Sequence, residues 1–172
     1  MKIKNNNAII RQFNNRGVTL IELIVVIGIL AILAVAGMAA INPVEQFKKA
    51  NDSRRKADLS QIQKALETYH QDKGEYPSST ENYMISGTEW GKQWEPYMNY
   101  LPKDTNASKK YVYYSTGQSY YIYASLDRGI KDPQSCKEPL KANGECTNVP
   151  GTNLCGVGVL CNFGVSSPNV LP

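Results

Sequence analysis

Residues 16–23 read RGVTLIEL, and the apolar sequence that follows continues to Ile41. Between Val18 and Ile41 the only charged side chain is Glu22. A helix of about 20 apolar residues is long enough to cross the hydrocarbon core of a bilayer. The sequence therefore predicts a membrane-spanning helix over residues 18–41, and the rest of the chain is organised around it.

The residues before this segment are basic. Four of the 19 Lys and Arg residues lie in residues 1–17, which contain no acid, so 15 bases and 15 acids remain downstream. The net charge of +4 therefore belongs to the leader, and bulk charge gives no reason to expect nucleic-acid binding. A basic stretch before a hydrophobic span stays on the cytoplasmic side. We therefore expect the rest of the chain to lie outside the cytoplasm. Disulfides between its four cysteines would persist in such a compartment.

Three interpretations of the hydrophobic segment are open from the residues alone. An ordinary secretory signal would be cut after its apolar core, and residues 37–40, which read GMAA, offer small residues for that cut. A signal anchor would keep the segment uncut. The third interpretation places the cut before the segment, between Gly17 and Val18, and retains the whole helix in the mature protein.

Residues 16–22 resemble the class III signal of the type IV pilins and of the pseudopilins of type II secretion, most of all the major pseudopilin. In that family a prepilin peptidase cuts after the glycine and methylates the new amino terminus. The resemblance implies that Gly17 ends the leader and that Val18, where phenylalanine is commonest in the family, is the methylated residue. It also implies that Glu22 acts in assembly by pairing with the terminal amine of a neighbouring subunit.

The position of Glu22 also has a physical interpretation that does not depend on the family. An ionised carboxylate at the centre of a spanning helix costs about 2.5–3.5 kcal/mol, so it needs a partner or a function. Glu22 follows Val18 by four residues, about 6 Å along a helix. The amine of its own chain or of a neighbour is the available cation. Alternatively, Glu22 lies at the membrane interface, where the cost is small.

The segment after the span predicts a second, amphipathic helix. Asn42-Pro43 predicts a kink or a break, because proline removes a helix hydrogen bond. Helical spacing then continues to about Gln71 and ends at Lys73-Gly74. The predicted apolar stripe contains Phe47, Ala50, Ala57, Ile62, Ala65, Leu66 and Tyr69. The predicted charged face contains Lys48, Lys49, Asp52, Arg54, Arg55, Lys56, Asp58, Lys64 and Glu67.

That charged face has three interpretations. A solvated helix surface is the simplest, and ion pairs between filament subunits are the functional alternative. DNA binding by residues 54–56, which read RRK, would need further basic residues on the same face.

A small antiparallel sheet is expected after the helix. Residues 74–77 read GEYP and resemble the Gly-x-Tyr-Pro turn that follows the long helix in the same family. Residues to about 99, including Trp90 and Trp94, predict a loop or short helix over the sheet. Aromatic strands are predicted at 111–114 and 120–124, with a five-residue loop between them. A lone hairpin is marginally stable, so the sheet must pack on the amphipathic helix. Sheet structure explains the tyrosines, and stacking of sugars or bases on exposed rings is the alternative.

The last 37 residues hold all four cysteines, which are Cys136, Cys146, Cys155 and Cys161. No Cys-x-x-Cys spacing and no following histidine is present, so disulfides are favoured over zinc. Three connectivities are possible, and sequential pairing closes the shortest loops. The major pseudopilins bind calcium near this point, which implies Asp127 and Asp132 as candidate ligands. Their acidic glycine-rich loop is not reproduced, so no cofactor and no metal is expected, and calcium at Asp127 and Asp132 is kept only as an alternative.

The sequence thus predicts an α+β, pilin-like fold with a long N-terminal helix, a small antiparallel sheet on its distal half and an irregular cysteine-rich tail. The predicted segments are the leader 1–17, the spanning and filament-core helix 18–41, the amphipathic continuation 42–73, the loop and sheet 74–135, and the tail 136–172. No catalytic motif was found, so an enzyme is not expected.

The predicted function is that of a structural subunit of a type II secretion pseudopilus, cleaved after Gly17 and methylated. A type IV pilus subunit for adhesion, motility or DNA uptake is the first alternative, and a secreted or anchored protein with an ordinary signal is the second. The family implies as partners copies of the chain, the prepilin peptidase, and the assembly platform and motor of the inner membrane. Membrane lipid surrounds the helix before assembly, and nucleic acid is not an expected partner.

Overall fold

The structure, a computed structural model, describes residues 17–137 and 140–172. The predicted leader therefore lies outside the described residues except for Gly17. The chain divides into two compact units, one that ends at Asn42 and one that runs from Pro43 to Pro172, and each is described by itself. We call the second unit the body.

The first unit is a single apolar helix, α1, from Leu20 to Ile41. Its segment Leu20–Met38 is long and apolar enough to cross a membrane, and its side chains are exposed throughout. The helix ends at Asn42, whose φ of 47° lies in the left-handed region that asparagine tolerates better than most residues. The break is therefore at the predicted place, immediately before Pro43.

The body begins with helix α2, from Pro43 to Lys73. Proline suits the first helical position because its missing N–H would have no intrahelical partner there. Gly74 follows the last residue of the helix, and its φ of 76° is the left-handed conformation that favours glycine just after a helix C-terminus. Lys73-Gly74 is thus the end that the sequence predicted.

The buried face of α2 differs from the predicted apolar stripe. Its buried residues are Asp52, Arg55, Leu59, Ile62, Ala65 and Leu66. The apolar second half is confirmed, but Phe47, Ala50 and Ala57 are exposed. The assignment of Asp52 and Arg55 to the charged, solvated face was wrong, because both side chains are buried. Arg55 binds the distant carboxylates of Asp104 and Asp127, and Asp52 accepts from the backbone N–H groups of Asp127 and Arg128.

Three antiparallel strands form one sheet in the order β1-β2-β3. They are β1 (Val112–Ser115), β2 (Tyr120–Ala124) and β3 (Phe163–Ser166). The predicted hairpin is confirmed, with Val112 opposite Tyr123. The tail supplies β3, which its glycine-rich sequence did not indicate. A Cβ on Gly164 would lie 2.7 Å from the Tyr123 ring, so the cross-strand contact requires a glycine.

One face of the sheet packs on the second half of α2. The core there contains Leu59, Ile62, Leu66, Tyr111, Tyr113, Tyr120 and Ile122. Trp94 is buried in the same core, on turns rather than on a short helix. The Tyr111 hydroxyl donates to Asp58 at 2.7 Å, and the Tyr120 hydroxyl donates to Glu67 at 3.0 Å. The tyrosines therefore serve sheet packing, as the simpler interpretation predicted.

The tail covers the other face of the sheet and forms a second core. Val112, Tyr123 and Val149 pack there with the cysteines. Disulfides join Cys136 to Cys146 and Cys155 to Cys161, which confirms the sequential pairing. The predicted α+β, pilin-like fold is therefore confirmed by the long apolar helix, the small antiparallel sheet and the disulfide-bonded tail.

Candidate processing and assembly site

The peptide bond between Gly17 and Val18 lies in open, non-helical chain directly before α1. Both residues are exposed, and Val18 retains 75% of its accessible surface. No heavy atom outside its chain neighbours lies within 4 Å of the place where a Cβ on Gly17 would be. A peptidase therefore has steric access to this bond in the described part of the chain.

Thr19 and Glu22 form a reciprocal capping box at the start of α1. Thr19 is the N-cap, with extended backbone at φ −77° and ψ 153°. Its backbone N–H and its hydroxyl both donate to Glu22 Oε2 at 2.8 Å. The Glu22 N–H donates back to the Thr19 hydroxyl at 3.3 Å. Two backbone donors that a helix N-terminus leaves unpaired are thereby satisfied.

The capping box adds a role for Glu22 that the sequence analysis did not consider. The signal was available, because Ser or Thr followed three residues later by Glu is the usual pattern of a capping box. The carboxylate is held at the helix N-terminus, where the helix dipole favours a negative charge. Both donors bind Oε2, so Oε1 is the oxygen free of these bonds. This geometry permits Glu22 to cap its own helix and to accept a further donor at the same time.

The calcium candidates Asp127 and Asp132 take part in ion pairs with basic side chains. Asp127 accepts from Lys109 at 2.6 Å, and Asp132 accepts from Lys56 at the same distance. Burial alone would raise the pKa of each carboxyl, but these cations hold both pKa values below the ordinary value of 3.8. Within residues 17–137 and 140–172, no three His, Cys, Asp or Glu side chains are grouped as a metal site requires. The absence of a cofactor stays a prediction, and calcium stays its alternative.

Asp127 also belongs to a buried network around Arg55. The guanidinium binds Asp104 through two nitrogens at 2.7 and 3.2 Å, and also contacts Asp52 at 3.0 Å and Asp127 at 3.1 Å. Burial by itself would lower the pKa of Arg55, but the hydrogen bonds that it donates to Asp104 and Asp127 outweigh burial and raise that pKa. The network joins α2 to two loops of the body. The sequence signals it poorly, because Asp104 is 49 residues away.

The basic cluster at residues 54–56 is therefore not a continuous cationic surface. Arg55 is only 2% exposed, and Lys56 is bound to Asp132. Arg54 is the member that remains exposed. The arrangement does not provide the DNA-binding face considered from the sequence, since two of the three charges are neutralised within the chain.

Two family models match parts of the chain, and neither match includes residues 136–172. The model described as type II secretion system (T2SS), protein G, matches residues 42–135. The model of the prokaryotic N-terminal methylation motif matches residues 12–38. No curated protein and no solved structure matches the chain.

Proposed function

This chain belongs to the type II secretion system protein G family, and from that premise we propose how it is processed, held in the membrane and assembled. The family consists of pseudopilins, which are structural proteins rather than enzymes, so the chain is a pseudopilin structural subunit. The match is to a secretion family, so the alternative of a type IV pilus subunit is not favoured. The methylation-motif match likewise weighs against an ordinary secretory signal.

In the proposed sequence of events, prepilin peptidase cuts between Gly17 and Val18 and methylates the Val18 amine. Helix α1 holds the subunit in the inner membrane until it joins other copies in a filament core. Burial of about 20 apolar side chains in the filament core contributes about 1.5–3 kcal/mol each. This free energy only approximately offsets the free energy lost when the same side chains leave the lipid. Assembly therefore needs energy from outside the chain, which a motor at the assembly platform would supply.

The proposed orientation places the body outside the cytoplasm. Charge alone does not decide this, because the leader has four cations while residues 48–56 after the span have five. The two disulfides carry the argument, since such bonds persist in oxidising compartments such as the periplasm.

Glu22 is the observation that carries the assembly proposal. It is a carboxylate in the first turn of an apolar, exposed helix, held at that helix N-terminus by Thr19. Glu22 follows Val18 by four residues, so the carboxylate lies near the amino-terminal end of the helix, where methylated amines would be found. We expect the amine of an entering or neighbouring subunit to pair with this carboxylate.

Three variants separate charge pairing from helix capping. Glu22→Ala removes both functions, and we expect it to insert in the membrane without forming filaments. Glu22→Gln keeps an acceptor suited to a capping box but removes the charge, and it should also fail to assemble. Thr19→Ala loses a cap worth about 1 kcal/mol but keeps the charge, so filaments should still form. Filaments sheared from cells and membrane fractions are measured together.

Normal filaments from Glu22→Gln would contradict the ion pair and leave capping as the role of Glu22. Processing is checked separately by the mass of the mature amino terminus. A methylated Val18 is the expected result, and a start near residue 40 would contradict the proposed cut.

A further inference from the structure

The end of the body nearest the spanning helix in sequence combines exposed apolar and basic side chains. Three large apolar side chains project there, with 59% of Val44, 72% of Phe47 and 78% of Ile130 exposed. We call this region the basal surface, and it comprises Val44, Phe47, Lys49, Arg128, Ile130 and Lys131. Large apolar side chains that lie exposed together on a folded body usually mark a surface that binds a partner or a membrane.

Hydrogen bonds fasten the two parts of the basal surface to each other. Ile130 lies on the short 3-10 helix Gly129–Lys131. The chain before it is tied to α2, because the Asp52 carboxylate accepts from the Asp127 N–H at 2.6 Å and from the Arg128 N–H at 3.0 Å. Glu45 lies close enough to Arg128 and Lys131 to interact electrostatically with both. The segment that carries Ile130 is therefore held beside the first three turns of α2.

The acids near this surface are already bound to cations. Glu45 pairs with Lys48 at 3.0 Å, and Asp132 pairs with Lys56 at 2.6 Å. Lys49 and Lys131 are exposed and form no ion pair with any residue that the structure describes. The basal surface therefore presents positive charge around its apolar side chains, which is the pattern of surfaces that lie in a membrane interface.

Chain length places part of this surface at the membrane. Phe47 follows the last residue of α1 by six positions, and six residues span at most about 20 Å even when fully extended. If α1 spans the bilayer, Val44 and Phe47 cannot lie far from the headgroups at its end. Of the five cations of residues 48–56, Lys48, Arg55 and Lys56 are bound to carboxylates of the body, whereas Lys49 and Arg54 are exposed.

We propose that the basal surface docks on the phospholipid headgroups of the leaflet from which α1 emerges. Phe47 and Ile130 enter the interface, while Lys49 and Lys131 contact lipid phosphates; Arg128 is already paired with Asp132 at 3.6 Å. The proposal rests on the proposed function, because it requires α1 to be in the membrane. Docking holds the body against the bilayer before assembly, and assembly into a filament must break it.

The test uses the full chain in lipid nanodiscs, with a tryptophan reporter and lipids brominated in their acyl chains. Ile130→Trp places the reporter on the basal surface. Gln118→Trp is the matched control, because Gln118 is exposed on the β1–β2 loop. In that loop the Gly117 carbonyl accepts from the Tyr76 N–H, three residues after the last residue of α2. We expect strong quenching of the reporter at 130, greater with phosphatidylglycerol than with phosphatidylcholine alone, and little at 118. The unsubstituted chain supplies the background of Trp90 and Trp94.

Charge variants then test the lysines. Lys49→Gln and Lys131→Gln should each lower the ratio of docked to undocked bodies about fivefold in anionic discs. Lys73→Gln, at the other end of α2, should leave that ratio unchanged.

Equal quenching at 130 and 118 would overturn the proposal. So would quenching at 130 that requires two copies in one disc, because the surface would then be a contact between subunits. Flotation of the chain with vesicles tests α1 separately. Loss of flotation would contradict the proposed function, whereas flotation without quenching at 130 would contradict docking alone.

Discussion

Arg55 shows how much a single residue of this body depends on distant partners. The residue is 2% exposed, and its guanidinium is surrounded by three carboxylates, those of Asp52, Asp104 and Asp127. A buried charge is tolerated only when its partners satisfy it, and removal of one partner leaves the others uncompensated. The network therefore stabilises the attachment of two loops to α2 only while it is complete.

Arg55→Ala should reduce the free energy of unfolding by about 3–5 kcal/mol, because it leaves buried carboxylates without their cation. Arg54→Ala is the matched control at the adjacent, exposed position, and it should change that free energy by no more than about 0.5 kcal/mol. Denaturant titration of both variants measures the difference. Equal effects of the two substitutions would show that the network does not contribute to stability.

At the scale of elements, the tail is held together by its disulfides and by one buried carboxylate. Glu145 is fully buried, and its Oε1 accepts from the Asn153 N–H at 2.8 Å and from the Cys161 N–H at 3.2 Å. Its neighbour Cys146 belongs to the other disulfide. Glu145 thus connects the two disulfide loops, and the tail becomes one element that covers the outer face of the sheet.

Each disulfide should stabilise the body by restricting the unfolded chain. The bonds join residues 10 and 6 positions apart, and loops of this size give about 2–3 kcal/mol each in the chain-entropy model. The double variants Cys136→Ser with Cys146→Ser, and Cys155→Ser with Cys161→Ser, should each lose about that much in denaturant titration.

Hydrogen exchange locates the effect of those variants. We expect faster exchange in the tail while β1 and β2 stay protected, because their first face packs on α2 independently of the tail. An unchanged unfolding midpoint in both double variants would contradict a stabilising role for the disulfides.

At the scale of the whole molecule, titrating groups set a pH range for the stability of the body. The folded pKa values of Asp127 and Asp132 lie below the ordinary 3.8. Their contribution is therefore present above about pH 4 and is lost as the pH falls further, because the unfolded chain then binds more protons. Tyrosines act in the opposite direction. Burial and a hydrogen bond to Glu67 raise the pKa of Tyr76 to about 12, and burial raises those of Tyr111, Tyr113, Tyr120 and Tyr123.

Stability of the full chain should therefore be nearly constant between about pH 4 and 10 and fall on both sides. The alkaline loss begins near the unfolded tyrosine pKa of 10.0 and grows as the pH rises through 12. Denaturant titration in detergent at a series of pH values, with tyrosinate absorbance recorded in parallel, measures both limits. In the Asp127→Asn variant, the free energy of unfolding should fall less steeply with pH below about pH 4. An unchanged slope would contradict the contribution of Asp127 to the acid loss.

The sequence by itself determined the parts of this protein that depend on neighbouring residues. The uncharged run after Glu22 predicts α1, Asn42-Pro43 predicts its end, and the tyrosine-rich alternation predicts β1 and β2. Each of these signals lies within one element, so secondary-structure propensity and the spacing of apolar residues are sufficient to detect it. The Arg-Gly-Val context gave the family resemblance for the same reason.

Only the tertiary structure decided which charged residues are buried and where the tail goes. Arg54 and Arg55 are the same residue type at adjacent positions, but only Arg55 is buried, where it binds the distant carboxylates of Asp104 and Asp127. Strand β3 is short and contains Gly164, which is favourable there because the Tyr123 ring occupies the space of a side chain. Such features depend on contacts between distant segments, and no local pattern records them.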